Sequence, residues 1–229
     1  MEQQGPDRRW IILAVFAVIA VGVVAAVLIS RGGGSDDSSS TSAEASSGGC
    51  KQVEEPAPKT VSFKKPKQVL KSGEEATVVM KTSCGTFEIA LDTKRAPKTA
   101  NSFAFLVEEG FYDDLTFHRV VPEFVIQGGD PEGTGTGGPG YKVEEKPPAN
   151  LAYTKGIVAM AKSSAEPPGT SGSQFYVVTA PDAGLPPEYA LVGKVSKGYS
   201  AVERIEKLGG PEEKPKQTVL IEEATLERG

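Results

Sequence analysis

Hydrophobic and polar positions change their pattern three times along the chain, and these changes divide it into four segments. Residues 10–30 open with twenty positions that carry no charged, amide or hydroxyl side chain. Residues 31–75 are first mostly Gly and Ser, and then a mixture of apolar, charged and proline residues. From residue 76 onward, short apolar runs alternate with polar turns. We therefore predict a short N-terminal stretch at 1–9, a membrane-spanning helix at 10–30, a flexible linker at 31–75 and one folded domain at 76–229.

The apolar segment at 10–30 is long enough to act as a membrane anchor. A helix of twenty residues rises about 30 Å, which matches the thickness of the hydrocarbon core of a bilayer. Arg8 and Arg9 precede the segment, whereas Arg31 alone follows it closely. The positive-inside rule then places residues 1–9 in the cytoplasm and the folded domain outside. The sequence thus predicts a single-pass protein of the cell membrane with an extracytoplasmic domain.

A cleaved signal peptide is the alternative interpretation of the same segment. Its apolar region would span about 7–15 residues and would end at a cleavage site of small residues. The observed segment is longer, and residues 27–31 (VLISR) offer no such site. An uncleaved signal anchor is therefore favoured, and N-terminal sequencing of the mature protein would distinguish the two.

The domain at 76–229 shows the periodicity of short strands and two helices. Pro97 suits the first turn of a helix, apolar residues follow it at helical spacing, and Gly110 ends the run. A second helix is predicted at 200–208. Short apolar runs predict strands at 77–80, 87–91, 116–121, 124–127, 156–161, 174–178, 191–195 and 219–226. Many short strands with few helices favour an antiparallel barrel or sandwich, and periodicity does not choose between them.

Composition and charge exclude several classes of chemistry. The net charge is -5 and the pI is about 5.2, without any block of Lys or Arg, so nucleic acid is not an expected partner. A single His excludes His-pair metal motifs, and two Cys are too few for a Cys-rich zinc site. We therefore expect neither a metal nor a cofactor, and most proton-transfer enzymes are disfavoured.

Cys50 and Cys84 are the only cysteines in the sequence, and the predicted topology places both outside the membrane. An oxidising exterior permits a disulfide between them, which would pin the linker to the first hairpin of the domain. A disulfide needs Cα atoms within about 7 Å, and sequence alone does not show that distance. Two free thiols, with Cys84 buried, are the equal alternative. Apolar linker residues such as Phe63 and Leu70 are available to dock on a neighbouring surface.

The stretch 117–140 carries the most specific signals in the sequence. Arg119, Phe124 and Gln127 fall on two strand segments, and a hairpin would let all three project to one side of a sheet. An isolated Arg in a strand is more often a surface ion pair than a functional group. The glycines at 133–138 match a dinucleotide-binding fingerprint by letter, but no helix opens behind them, so no pyrophosphate site is predicted. The neighbouring Phe, Gln and glycine loop favour a functional site around the Arg.

These residues resemble the cyclophilin-type peptidyl-prolyl isomerases, in a membrane-anchored bacterial-like form. The resemblance is carried, in the family's order, by residues 96–99 (APKT), 117–119 (FHR), 124–130 (FVIQGGD), 135–138 (GTGG), 156–161 (GIVAMA), 172–176 (GSQFY) and 192–195 (VGKV). It implies a mainly β fold, a closed eight-stranded antiparallel β-barrel capped by two α-helices. It also implies a peptidyl-prolyl cis-trans isomerase that assists the folding of extracytoplasmic polypeptides.

The resemblance assigns roles to individual residues. Arg119, Phe124 and Gln127 resemble the family's catalytic set, with Arg119 directed at the prolyl nitrogen and Gln127 at the substrate carbonyl. Substrate-binding positions are implied for the apolar wall, the glycine loop and the backbone that pairs with the peptide: Val125, Ala161, Lys162, Tyr176, Leu185, Tyr189, Gly135, Thr136 and Gly137. A permanently charged donor suits this chemistry, because the nitrogen of a twisted amide accepts a hydrogen bond.

Two positions differ from residues that some family members carry, and two other positions are not expected to take part in catalysis. Gly184 falls where some family members carry the Trp that contacts cyclosporin, which implies weak cyclosporin binding with isomerase activity retained. Tyr189 falls where some members carry His. His118 precedes Arg119, so strand alternation predicts that it faces the opposite side as a structural residue. Glu213 belongs to a charged run that is expected to be a solvated surface.

Two other functions stay open at this point. A binding module would hold proline-containing segments without accelerating their isomerisation. A holdase-like chaperone would need an exposed apolar stripe, which is not evident in the sequence. Proline-containing polypeptides are the expected partners of the enzyme and of the binding module alike, and the domain is expected to be monomeric.

Overall fold

The structure, a computed structural model, describes residues 49–229. The membrane helix predicted at 10–30 and the Gly/Ser-rich part of the linker lie outside the described residues. Within 49–229, no helix has the length and apolar character needed to cross a bilayer.

The described residues form a mainly β fold, as predicted, with eleven strands, two α-helices and a short 3-10 turn at Pro211–Glu213. The strands are β1 (Ala76–Thr82), β2 (Gly85–Leu91), β3 (Leu115–Thr116), β4 (Arg119–Val121), β5 (Val125–Gly128), β6 (Val143–Glu144), β7 (Ile157–Met160), β8 (Thr170–Ser171), β9 (Phe175–Val178), β10 (Leu191–Lys197) and β11 (Leu220–Arg228). The helices are α1 (Pro97–Glu108) and α2 (Tyr199–Glu206). Nine strands form one sheet in the order β3-β11-β1-β2-β10-β7-β9-β5-β4, and β6 pairs with β8 in a second sheet.

The main sheet differs from the predicted closed eight-stranded barrel in strand number and in closure. Its hydrogen-bonded order is open, because β3 and β4 stand at opposite ends of the nine strands. Those two end strands follow each other in the chain and are separated only by Phe117 and His118. The run predicted as one strand at 116–121 therefore breaks in two, and its first part pairs with β11 while its second part pairs with β5. Chain connectivity, rather than a ladder of hydrogen bonds, links the two edges.

The β1–β2 hairpin shows how alternation in the sequence sets the inner face of the sheet. Val78 lies opposite Ile89 and Met80 lies opposite Phe87, and all four are fully buried. The residues between them are half-buried or exposed. Successive side chains of a strand point to opposite faces, so the apolar set lies on one side and builds the main core.

Helix α1 is buried more completely than its sequence predicts. Pro97 occupies its first turn, and Gly110, with φ of 63°, follows its end. Both features match the prediction. The apolar spacing predicts a single buried face, yet every residue from 99 to 107 is buried. The preceding segment of the chain contacts the helix at Asn101, and residues near β6 contact it at Thr99 and Ser102, so more than one face of the helix is covered.

Residues 50–75, named here the N-terminal strap, run in extended form along the domain. At one end, a disulfide joins Cys50 to Cys84, and their Cα atoms are 4.0 Å apart. Near the other end, Leu70 is 2% exposed and belongs to the main core. Between them, the Phe63 ring lies edge-on to a ring of α1, with the centroids 5.2 Å apart. The apolar residues of the predicted linker therefore dock on the domain.

Backbone hydrogen bonds attach the strap to two parts of the domain. The Asn101 side chain on α1 accepts bonds from the N–H groups of Val69 and Leu70, at 2.8 and 3.0 Å. Two further strap N–H groups donate to the carbonyls of Pro131 and Pro139, at 2.8 Å each. These prolines stand on either side of the glycine-rich loop. The strap therefore covers α1 and supports the base of that loop at the same time.

Candidate active site

The β4–β5 hairpin brings together the three residues of the predicted catalytic set. Arg119 and Gln127 are direct partners in the antiparallel register, so their side chains leave the same face of the sheet. Arg119 Nη1 donates to Gln127 Oε1 at 3.2 Å. Phe124 lies in the turn between the strands, with its ring centroid 6.0 Å from Arg119 Cζ. The three side chains converge on one side of the hairpin, as their spacing predicts.

A chain of side-chain amides continues from this pair toward the glycine-rich loop. Gln127 Nε2 donates to Gln174 Oε1 at 3.0 Å, and Gln174 Nε2 donates to the Gly137 carbonyl at 3.0 Å. Gln127 is 7% exposed, so hydrogen bonds at both ends of its amide fix its orientation. Gln174 is not among the predicted site residues, although it stands in the GSQFY block that carries the family resemblance.

Arg119 and Gln127 line a cavity of about 580 Å³, and the glycine-rich loop forms another part of its wall. Five of the predicted substrate-binding residues line the same cavity: Gly135, Thr136, Gly137, Ala161 and Lys162. The buried Asp130 carboxylate accepts hydrogen bonds from the N–H groups of Glu132 and Gly135 and so holds the loop in a turn. Gly135 has φ of 87°, a conformation that favours glycine.

The remaining predicted binding residues form an apolar cluster beside this cavity. They share one hydrophobic cluster, and each is less than a tenth exposed: Val125, Tyr176, Leu185 and Tyr189. Phe124 and Ala161 pack on its edge, which joins the cluster to the cavity and to Arg119. Burial raises the pKa of Tyr176 and of Tyr189, so both hydroxyls stay protonated at neutral pH.

The Lys162 side chain is held by several contacts of its ammonium group. The side chain is 4% exposed, and Nζ donates to the carbonyls of Ser163 and Glu166 at 3.3 and 3.1 Å. The same ammonium lies 3.6 Å from a Glu188 carboxylate oxygen and 5.4 Å from the centroid of the Tyr189 ring. The resemblance implies a main-chain contact with the peptide at this position. The structure adds that Lys162 fastens the loop at 163–166 to the wall of the site.

His118 does not follow the predicted strand alternation. It lies between β3 and β4, outside both strands, and it lines the same cavity as Arg119. Burial lowers the pKa of its imidazole; the Asp130 carboxylate opposes this shift, and the Arg119 guanidinium adds to it. Strand alternation therefore does not apply at His118, and both of its ring nitrogens are buried.

Glu213 is not the solvated surface residue that the sequence predicts. Its Oε2 lies 2.5 Å from Arg119 Nε, in an ion pair between residues 94 positions apart. The side chain of Arg119 is 14% exposed and that of Glu213 is 40% exposed, so the pair lies where the cavity meets solvent. The sequence carries no local signal for this contact, since it depends on the 3-10 turn at Pro211–Glu213 reaching β4.

The arrangement is suited to binding and polarising a neutral amide. It combines a permanently charged donor, an oriented side-chain amide and a wall of apolar rings. A guanidinium carries N–H donors and no acceptor, so Arg119 is suited to donating hydrogen bonds to a bound amide. The apolar cluster beside it supplies a hydrophobic surface next to the cavity.

The chain is similar in sequence and in structure to one family of known proteins. The profile of the family described as "Cyclophilin type peptidyl-prolyl cis-trans isomerase/CLD" matches residues 77–226. Peptidyl-prolyl cis-trans isomerase-like 1 of Gibberella zeae is 40% identical over 154 residues, which are 65% of this chain and 93% of that protein. Peptidyl-prolyl cis-trans isomerase ppi1 of Schizosaccharomyces pombe is 42% identical over 134 residues, covering 57% of this chain and 84% of that protein. A similar solved structure is that of a cyclophilin type peptidyl-prolyl cis-trans isomerase of Cryptosporidium parvum, crystallised in the presence of the dipeptide Ala-Pro. It aligns with a TM-score of 0.62 and 30% identity, and the alignment covers 67% of this chain and 99% of that chain.

Proposed function

The chain belongs to the cyclophilin-type peptidyl-prolyl cis-trans isomerase family, and we propose that it assists the folding of extracytoplasmic polypeptides by using Arg119 to stabilise the twisted X-Pro amide. The observation that carries this mechanism is the Arg119–Gln127 pair, joined at 3.2 Å beside the ring of Phe124. The pair stands between the cavity and the apolar cluster. A bound proline ring and its preceding carbonyl would therefore meet both kinds of surface at once.

The reaction needs differential binding rather than a nucleophile. Rotation about a peptide bond meets a barrier of about 18–20 kcal/mol, because the nitrogen lone pair is conjugated with the carbonyl. The two isomers of an X-Pro bond differ by only ~0.5–1 kcal/mol, yet they exchange over tens of seconds or longer. A catalyst must bind the twisted amide more tightly than either planar form. Lowering the barrier by about 6 kcal/mol accelerates exchange by about four orders of magnitude.

Arg119 supplies a donor that distinguishes the twisted amide from the planar one. In the twisted state the nitrogen becomes pyramidal and its lone pair accepts a hydrogen bond. The guanidinium of Arg119 is charged at all relevant pH values, and its low exposure of 14% strengthens the bond it donates. Gln127 orients that guanidinium and presents its own amide to the substrate carbonyl.

The proposed substrates are proline-containing polypeptides. The apolar cluster around Val125 and Tyr176 suits the proline ring, and the related structure obtained in the presence of Ala-Pro supports this substrate class. Gly184 stands where some family members carry the Trp that contacts cyclosporin, so we expect cyclosporin to bind weakly. Its φ of 64° is a backbone conformation that Trp rarely adopts.

The catalytic proposal is tested by the rate of cis/trans exchange in an Ala-Pro peptide, measured by NMR exchange spectroscopy with the full-length chain. Arg119→Ala is expected to lose about 100-fold in kcat/KM, because a charged donor to the transition state is removed. Arg119→Lys keeps the positive charge without the planar guanidinium, so its kcat/KM should lie between that of the unchanged protein and that of Arg119→Ala. Arg95→Ala, which removes an exposed Arg paired with Asp92, is the matched control. An unchanged rate in Arg119→Ala would refute the mechanism, and binding without exchange would favour a binding module.

The extracytoplasmic location rests on two supports. The apolar segment at 10–30 has the length of a membrane span, and the Cys50–Cys84 disulfide is of a kind that persists in oxidising compartments. The relatives named above are fungal and protozoan, so they add nothing to a bacterial-like assignment. The full-length chain with a C-terminal tag should stay in the membrane pellet after alkaline extraction, and protease added to intact cells should remove the tag. Release into the supernatant, or a fully protected tag, would overturn the proposed topology.

A further inference from the structure

We propose that Glu213 is a positioning residue for the isomerase reaction, which holds the Arg119 guanidinium in the orientation that the twisted amide requires. The inference deepens the proposed function and rests on Arg119 being the catalytic donor. It concerns a residue that lies outside every block of sequence that carries the family resemblance.

Two contacts fix the plane of the guanidinium. Glu213 Oε2 accepts from Nε at 2.5 Å, and Gln127 Oε1 accepts from Nη1 at 3.2 Å. An Arg side chain has several rotatable bonds. A single hydrogen bond would still allow the guanidinium to rotate about that bond. Contacts at Nε and at Nη1 together restrict both the position and the tilt of the group. The preorganised donor then needs no reorientation as the amide twists.

The turn that carries Glu213 has an unusual backbone. Glu212 and Glu213 both have left-handed φ values, 56° and 62°, although neither is glycine. Side chains with a Cβ rarely adopt this conformation, and such strained residues cluster at functional sites. The turn is held from both sides by the bonds Gly210 N–H to Lys214 O at 2.8 Å and Lys216 N–H to Leu208 O at 2.7 Å. The local fold therefore maintains a strained backbone that brings the Glu213 carboxylate to Arg119.

The location of the pair favours positioning over a purely structural role. Glu213 is 40% exposed, so an ion pair there adds little to the stability of the fold. Its partner lines the cavity in which the substrate would bind. Since Glu213 acts through Arg119, and Arg119 binds the twisted amide more tightly than the planar one, loss of Glu213 should lower kcat rather than raise KM.

The test compares Glu213→Ala, Glu213→Gln and Glu212→Ala in the full-length chain, with exchange rates of an Ala-Pro peptide measured over a range of peptide concentrations. Glu213→Ala is expected to lower kcat about tenfold with KM within about twofold of the original. Glu213→Gln keeps an acceptor for Nε–H and should stay within about threefold of the unchanged protein. Glu212→Ala removes the same charge from the same left-handed turn and should stay within about twofold.

A spectroscopic measurement separates orientation from folding. The Arg119 Nε–H signal in a proton–nitrogen NMR spectrum should be resolved in the unchanged protein and in Glu213→Gln, and lost in Glu213→Ala, while the backbone spectrum stays the same. Wild-type or faster turnover in Glu213→Ala, an equal loss in Glu212→Ala, or a Glu213→Gln protein as slow as Glu213→Ala would each overturn the inference. If Arg119→Ala itself keeps full activity, the proposed mechanism fails first, and the two failures are therefore distinguishable.

Discussion

Opening the disulfide that anchors the N-terminal strap is expected to destabilise the domain by several kcal/mol. Cys50→Ala is the cleanest perturbation, because Cys50 is only partly buried, whereas Cys84 is 1% exposed and a polar replacement there would disturb the core. The substitution leaves Cys84 as a buried thiol. Any loss of stability then reports the cross-link rather than a change in packing around Cys84.

The magnitude follows from the length of the closed loop. The cross-linked residues are 34 positions apart, so the chain-entropy relation gives a loss of ~13 cal/mol/K in the unfolded state, or ~3.8 kcal/mol at 25 °C. We treat this as an upper value and expect a loss of about 2–4 kcal/mol. For a domain of this size, that corresponds to a drop in Tm of ~10 °C.

The assay is urea denaturation monitored by far-UV circular dichroism, with and without reductant. Reductant should shift the unchanged protein to the midpoint of Cys50→Ala and should leave Cys50→Ala itself unmoved. A loss below about 1 kcal/mol would contradict the expected stabilisation by loop closure. It would mean that the strap detaches before the domain unfolds, so that the disulfide closes a loop outside the cooperative unit.

Three further outcomes are expected. Burial lowers the pKa of His118, so the unfolded chain binds this proton before the folded protein does as pH falls below about 6.5. The free energy of unfolding should therefore fall from neutral pH down to the lowered pKa of the folded protein. His118→Gln should flatten that part of a plot of the urea midpoint against pH. Tyr176→Phe removes a buried hydroxyl that has no hydrogen-bond partner among residues 49–229, so urea titration should show unchanged stability or a gain of up to ~1 kcal/mol, and a larger loss would contradict the structure. Asn101→Ala leaves two strap N–H groups without their acceptor and the Lys67 carbonyl without its donor, at an expected cost of about 2–4 kcal/mol in the same titration, and a loss below about 1 kcal/mol would contradict the structure.

The parts of the fold that periodicity encodes were predictable. Short apolar runs predicted strands at 77–80 and 87–91, which lie within β1 and β2, and Pro97 and Gly110 marked the ends of α1. The break at Phe117–His118 was not predictable in the same way. A run of apolar and polar residues that fits one strand also fits two short strands that pair with different neighbours, and only those neighbours decide between the two.

The extent of burial along α1 shows a related limit. Its sequence has an apolar face that periodicity detects, but Asn101 and Ser102 read as surface residues. Both are buried by distant parts of the chain: Asn101 bonds to the strap backbone, and the Ser102 hydroxyl lies 2.9 Å from the Tyr141 hydroxyl. A segment that looks like a linker by composition therefore becomes the cover of a helix, and its proline-rich sequence gives no sign of which surface it covers.

At the site, local sequence was enough to predict which residues share one hairpin, whereas their contacts depend on how distant elements pack. Arg119 and Gln127 are eight positions apart, so a tight hairpin is enough to pair them. The Glu213 carboxylate reaches Arg119 from 94 positions further along the chain, and the Gln174 amide reaches Gln127 from 47 positions further along. Local patterns encode which face of an element a side chain occupies, whereas contacts between distant elements depend on how those elements pack, and no short window of sequence contains that information.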